Sequence, residues 1–111
     1  MYTSYFAKYK GSEGVAITVT LPAWAKKHKR YAPLTPTSEL LWAYKNGRIN
    51  ELQYEKQYLK ILEDRGLTPK QVLQDLGNDA VLLCFEKTGY FCHRHIAAEW
   101  LRKNGIEVHE I

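Results

Sequence analysis

Apolar and polar residues along this chain switch between a two-residue and a three-to-four-residue period, and the switching predicts a mixed α/β domain. Residues 2–7 are rich in β-formers. A polar turn, Lys10-Gly11-Ser12-Glu13-Gly14, leads to Val15-Ala16-Ile17-Thr18-Val19-Thr20, which reads as a second strand. Pro22 ends that pairing because it has no N–H to donate. Residues 23–36 follow as a long basic and aromatic connection closed by Pro33 and Pro36, a length that favours a functional loop. Ser38-Glu39-Leu40-Leu41-Trp42-Ala43-Tyr44 then predicts a helix that stops at Asn46-Gly47. Asn50, with Gln53 three residues on, opens a second and longer helix. Its stripes are Leu52, Leu59 and Leu62 beside Tyr54, Tyr58 and Ile61, and it ends at Arg65-Gly66.

Thr68-Pro69-Lys70-Gln71 combines an N-cap, a first-turn proline and a capping glutamine, so a short helix is expected up to Gly77. The run Ala80-Val81-Leu82-Leu83-Cys84-Phe85 is apolar on both parities, the pattern of a central parallel strand with helices on both faces. Ile96, Ala97, Trp100 and Leu101 recur at helical spacing across residues 93–104. Gly105 supplies a stop, and residues 106–109 read as an edge strand. Strand, helix and strand with short joints predict a crossover unit and parallel pairing in the C-terminal half.

A length of 111 residues accommodates one domain, residues 1–111, and one core. The 45% apolar fraction, with 3 Trp, 8 Tyr and 3 Phe, is enough to fold alone and excludes a disordered class. A net charge of +4 biases the surface towards phosphate-bearing ligands or nucleic acid, although the same charge also serves solubility. Two cysteines and no charged-then-apolar leader lead to the expectation of a cytoplasmic protein with reduced thiols. No apolar run approaches the roughly 20 residues of a membrane-spanning helix. Oligomeric state is not encoded in any pattern here.

Ligands of open α/β sheets collect beyond the carboxyl ends of the strands, where helix N-termini expose unpaired amides. That rule selects the segment from Cys84 and Glu86 through Lys87 to Cys92-His93-Arg94. A helix dipole and basic neighbours favour a Cys92 thiolate, against the ordinary reading of a small buried hydrophobe. Arg94 has the fork to hold a phosphate or carboxylate, or else to pin the loop through a salt bridge, with Glu86 as the expected partner. His93 is a candidate acid or base. Cys84, inside the apolar run, reads as structural, and His95 with Glu99 reads as a solvated helix pair. Zinc is disfavoured because the cysteines lie eight positions apart with no paired knuckle, so no metal is expected. A thiol phosphatase loop is excluded by spacing, since Arg94 follows Cys92 by two positions and Cys84 by ten. Glycine-rich cofactor and nucleophile-elbow motifs are absent, so no cofactor is predicted. A second candidate surface is the basic loop, where Trp24 and Tyr31 flank Lys26, Lys27, Lys29 and Arg30 in a combination suited to single-stranded nucleic acid.

Leu82-Leu83-Cys84-Phe85-Glu86-Lys87, Phe91-Cys92-His93-Arg94-His95 and Ala98-Glu99-Trp100-Leu101 together resemble the C-terminal signature of the domain of unknown function 488 family, DUF488. Tyr2-Thr3-Ser4-Tyr5-Phe6 is similar to that family's first strand. The resemblance implies a small three-layer Rossmann-like fold, with a mostly parallel sheet flanked by helices and the end of the first strand near the pocket. Where family members often carry an Asp-Val-Arg-like segment on the second strand, this chain has Thr18-Val19-Thr20-Leu21-Pro22, which removes a carboxylate and an arginine. The combined reading is a pocket built from Ser4, Tyr5, Glu86, Lys87, Cys92, His93 and Arg94 for an anionic, nucleotide-like or phosphorylated small molecule. Cys92 or His93 would serve as nucleophile or base and Glu86 as acid or orienter. The alternatives are a nucleic-acid-binding module on the basic loop and a scaffold domain without chemistry.

Overall fold

A computed structural model describes residues 1–111. Five strands, β1 (Tyr2–Tyr5), β2 (Gly14–Ala16), β3 (Lys29–Arg30), β4 (Val81–Cys84) and β5 (His109–Glu110), form one sheet in the order β3-β2-β4-β1-β5. Every neighbouring pair is parallel. The central strand β4 is buried along its whole length, as its unbroken apolar run predicts.

Four α-helices follow the predicted pattern: α1 (Ser38–Lys45), α2 (Glu51–Asp64), α3 (Pro69–Leu76) and α4 (His93–Lys103). Their starts are set locally. Asn50 and Gln53 make a reciprocal capping box on α2, and the Thr68 hydroxyl accepts from the Gln71 amide at the head of α3. Gly77 ends α3 at φ 81°, a left-handed conformation that a Cβ would disfavour.

The strands differ from expectation where side-chain pattern and pairing part company. β2 stops at Ala16. Beyond it the Ile17 amide still donates to Leu83, but the chain then leaves the sheet, and the Arg30 guanidinium takes the Thr18 and Val19 carbonyls at 3.0 and 3.1 Å. The connection of residues 23–36 contains β3 and two single 3-10 turns, Ala23–Ala25 and Ala32–Leu34. A two-residue strand of Lys and Arg carries no apolar alternation, so its pairing could not be read. The last strand occupies His109–Glu110 and pairs with β1, not β4, so the crossover from β4 through α4 passes over β1.

The two faces of the sheet are covered differently. Leu82 and Val15 face a large core that takes in Leu40 of α1, Tyr54, Tyr58 and Leu62 of α2, Val72 of α3, and Ile96, Ala97 and Leu101 of α4. Val81, Leu83 and Ala16 face a small cluster closed by Phe6 and by Ala25 of the first 3-10 turn. The expected second helical layer is thus a 3-10 turn and its flanking loop. Inside the larger core the Tyr58 hydroxyl is satisfied by the Leu34 carbonyl at 2.7 Å, which ties α2 to the basic connection.

Candidate functional site

Cys84 ends β4 and Cys92 is the N-cap residue of α4, with extended backbone at φ −156°, ψ 143°. Seven residues of loop separate them. The structure joins the two sulfurs in a disulfide, which corrects the expectation of reduced thiols. With its sulfur so engaged, Cys92 gives α4 no side-chain cap.

The first turn of α4 buries two polar side chains. His93 lies against Tyr58, and its Nε2–H donates to the Ile17 carbonyl where the chain leaves β2. A carbonyl can only accept, so the ring is held with Nδ1 unprotonated, 4.0 Å from Cys92 Sγ. Burial, aided by the charges of Arg94 and His95, lowers the imidazole from its ordinary 6.5 to about 4 despite the opposing bond to Ile17, so it is neutral near pH 7.

Arg94 has no exposed surface. Its Nε and Nη2 donate to the two Glu110 carboxylate oxygens at 3.2 and 2.8 Å. Nη1 donates to the Glu86 carbonyl at 2.6 Å and to Cys84 Sγ at 3.2 Å, and the Tyr5 ring stacks near the guanidinium at 5.8 Å. Burial alone would raise the Glu110 carboxyl. Hydrogen bonds from Arg94, Thr3 and Thr88, with the Arg94 charge, hold it instead at about 2. The salt-bridge partner of Arg94 is therefore Glu110; Glu86 contributes only its main chain. No local pattern in the sequence marks Glu110, because its proximity to Arg94 arises from the pairing of β5 with β1.

Two adjoining cavities of about 120 and 50 Å³ open beside this network and share Leu41, Lys45, Glu86 and His93. The larger reaches Thr18 and Thr20 past the end of β2, and the smaller reaches Cys92 and Phe91. They lie at the carboxyl edge between β2 and β4, where the chain order across the sheet departs from sequence. A broader groove of about 600 Å³ between α1 and α2 is lined by Lys56, Gln57 and Lys60 but by neither cysteine nor histidine, so the smaller cleft is the better chemical site.

The predicted residues are distributed unevenly around it. Glu86, Cys92 and His93 line the cleft; Arg94 lies behind it, saturated by Glu110. Ser4 pairs with Leu83 on the opposite sheet face and donates to the Ile111 carbonyl at 3.0 Å, whereas Tyr5 touches the site only through Arg94. Lys87 is exposed in the loop and lines neither cavity. Lys45 of α1 and the Thr18 and Thr20 loop were not foreseen, because no local motif marks them. Glu99 contacts Arg102 at 3.6 Å, not His95. The donor atoms of Cys84, Cys92 and His93 fall within 4.8 Å of one another, a closeness that the wide cysteine spacing conceals.

In the basic loop Trp24 is 64% exposed and meets Phe6 edge-on, and Lys26, Lys27 and Lys29 are exposed without ion-pair partners. Arg30 is committed to the carbonyls after β2, and the Tyr31 hydroxyl donates to Asp75.

Residues 4–105 match the family model described as the active DUF488-N3 subclade. The chain belongs to the DUF488 family. That match takes in the end of β1, the cleft, the disulfide and α4, while the Glu110 that saturates Arg94 lies just beyond it. No curated protein and no solved structure matches the chain.

Proposed function

We propose that this DUF488 protein binds a small anionic ligand in the cleft between β2 and β4, with Lys45 as the cationic contact. The carrying observation is chemical convergence at the carboxyl edge of the sheet. Lys45 is the one cation lining both cavities, opposite Glu86 and beside the Thr18 and Thr20 segment. Its charge attracts a phosphate or carboxylate, and Glu86 accepts from hydroxyl groups on the same ligand. The cavity volumes set a size limit. They are well below the roughly 300 Å³ of a typical ligand pocket, so a phosphate or carboxylate with a short carbon skeleton fits, and a nucleotide would place only one end inside.

Arg94 acts here as a positioning residue: it fixes the Glu86 main chain and Cys84 while Glu110 consumes its charge. Cys92, bonded to Cys84, and the neutral His93 form the wall of the smaller cavity. The test is calorimetric titration of inorganic phosphate and ribose 5-phosphate into wild type and Lys45→Ala. Binding weakened by about tenfold or more in the variant is expected; equal affinities would remove the assignment of Lys45 and of the cleft.

The exposed Trp24 beside three unpaired lysines favours a second reading, a narrow surface for single-stranded nucleic acid. It requires binding of a short single strand that falls steeply with salt and is lost when Lys26, Lys27 and Lys29 are made neutral. Lack of binding at low ionic strength would reject this surface.

A further inference from the structure

The disulfide sits among groups that thiol chemistry uses. Cys84 is fully buried at the end of the central strand, so no reagent reaches its sulfur directly. Cys92 lines the smaller cavity and retains slight exposure. One sulfur is therefore approachable and the other is sealed. Behind the sealed one, Arg94 Nη1 donates to Cys84 Sγ at 3.2 Å, and its three other donor contacts prevent the guanidinium from turning away. Beside the approachable one, His93 turns an unprotonated Nδ1 towards Cys92 Sγ at 4.0 Å, and the N-terminus of α4 adds its positive dipole end. A purely structural staple needs none of these groups.

We propose that Cys84–Cys92 is a redox-active pair that exchanges electrons with small dithiols and disulfides, Cys92 being the sulfur attacked and Cys84 the leaving thiolate. In the reducing direction a dithiol donor, ionised at one sulfur, attacks Cys92 Sγ. The Cys84–Cys92 bond breaks, and its electron pair goes to Cys84 as a thiolate held by Arg94. A lower leaving-group basicity speeds that step. The donor's second sulfur, after losing its proton to solvent, attacks the first. The mixed disulfide breaks, the donor departs as an intramolecular disulfide, and Cys92 leaves as a thiolate stabilised by the helix N-terminus. The protein gains two electrons, the donor loses two, and the donor's two protons pass to solvent. In the reverse direction Cys92 loses its proton to solvent, helped by the helix N-terminus, and its thiolate attacks an external disulfide; Cys84 then closes the protein disulfide and the external thiolate leaves.

A resident metal is a poorer use of the same three donor atoms. The fixed guanidinium 3.2 Å from Cys84 Sγ repels a cation there, whereas it stabilises a thiolate. The proposal goes beyond ligand binding in the cleft and does not need it.

The deciding measurement is the rate at which dithiothreitol reduces the disulfide of the wild-type chain in phosphate-free buffer, native and in urea, followed by alkylation and mass spectrometry. An inert buried staple is reduced more slowly when folded. The redox-active pair is reduced about tenfold faster, or more, in the native chain than in the unfolded one. A native rate at or below the unfolded rate overturns the proposal. Site of attack is read separately with bis(2-hydroxyethyl) disulfide, using Cys84→Ser and Cys92→Ser chains shown by circular dichroism to be folded. The adduct is expected on Cys92 in the first and absent from the second, and modification of folded Cys84 in the second overturns the assignment. Both reagents are uncharged, so failure here leaves the anion site standing, and failure of phosphate to bind leaves the redox pair standing.

Discussion

Glu110→Gln lowers the unfolding free energy by about 3–5 kcal/mol, because it removes the counter-charge of an arginine with no exposed surface. The Arg94–Glu110 contact uses both carboxylate oxygens, and Thr3 and Thr88 donate to the same oxygens. The glutamine amide cannot replace that set. Its NH₂ group must face a donor, and the guanidinium keeps a buried, uncompensated charge. For a domain of this size the loss corresponds to a fall in Tm of more than about 10 °C. Glu107→Gln is the control: its carboxylate is exposed and touches only His109, so a change within about 0.5 kcal/mol is expected. Urea titration of the three chains gives the comparison, and a Glu110→Gln loss below about 1 kcal/mol would show that Arg94 is solvated or paired elsewhere.

Acid weakens the fold in two stages, of which His93 governs the first. Its folded imidazole titrates near 4 while the unfolded one titrates near 6.5, so the unfolded chain takes up the proton first as pH falls. The contribution of neutral His93 is complete above about 6.5 and is lost progressively towards 4. The gap corresponds to a loss on the order of 3 kcal/mol, largely the cost of placing a charge in a buried site beside Arg94. Glu110 governs the second stage. Its carboxyl is depressed from 4.5 to about 2, so the stability it supplies is present above 4.5 and disappears as pH falls through the lower value. His93→Gln keeps a donor for the Ile17 carbonyl and removes the titration. Its stability is expected to slope less steeply than that of wild type between about pH 7 and about 5, the remaining slope coming from His28 and His95, whose imidazoles burial also lowers. Equal slopes would place the titrating group elsewhere.

The elements with strong local signals were legible in the sequence. Capping chemistry at Asn50 and Thr68 placed two helix starts, and the unbroken apolar run around Leu82 placed the central strand. The turn from β4 into α4 was legible for the same reason, since the helical period begins at His93. The DUF488 resemblance was carried by that segment and agrees with the family match. What escaped reading depended on distance in sequence. The partner of Arg94 is brought in by β5, Lys45 comes from α1, and Cys84 meets Cys92 only because the loop between them folds back on itself. For Arg94 the sequence leaves two readings open, an anion-binding fork and a salt-bridging pin, because a buried and an exposed arginine look alike until their neighbours are known; the salt bridge is present, with Glu110 in place of Glu86. The short strand at Lys29–Arg30 escaped because two charged, exposed residues carry no burial pattern, although their backbones extend the sheet.

The pairing of β1 with β5 also constrains how the chain is assembled. Thr3 and Ser4 bond to Glu110 and Ile111 across 107 positions, and the amino group of Met1 donates to the Glu107 carbonyl. During vectorial synthesis β1 must therefore wait for residues 107–111 to emerge before both of its edges are paired, and Arg94 must wait sixteen residues for its counter-ion. Such non-local closure slows folding and leaves a strand edge open to other chains in the interval. A nascent chain halted short of residue 110 would hold Arg94 without its counter-ion.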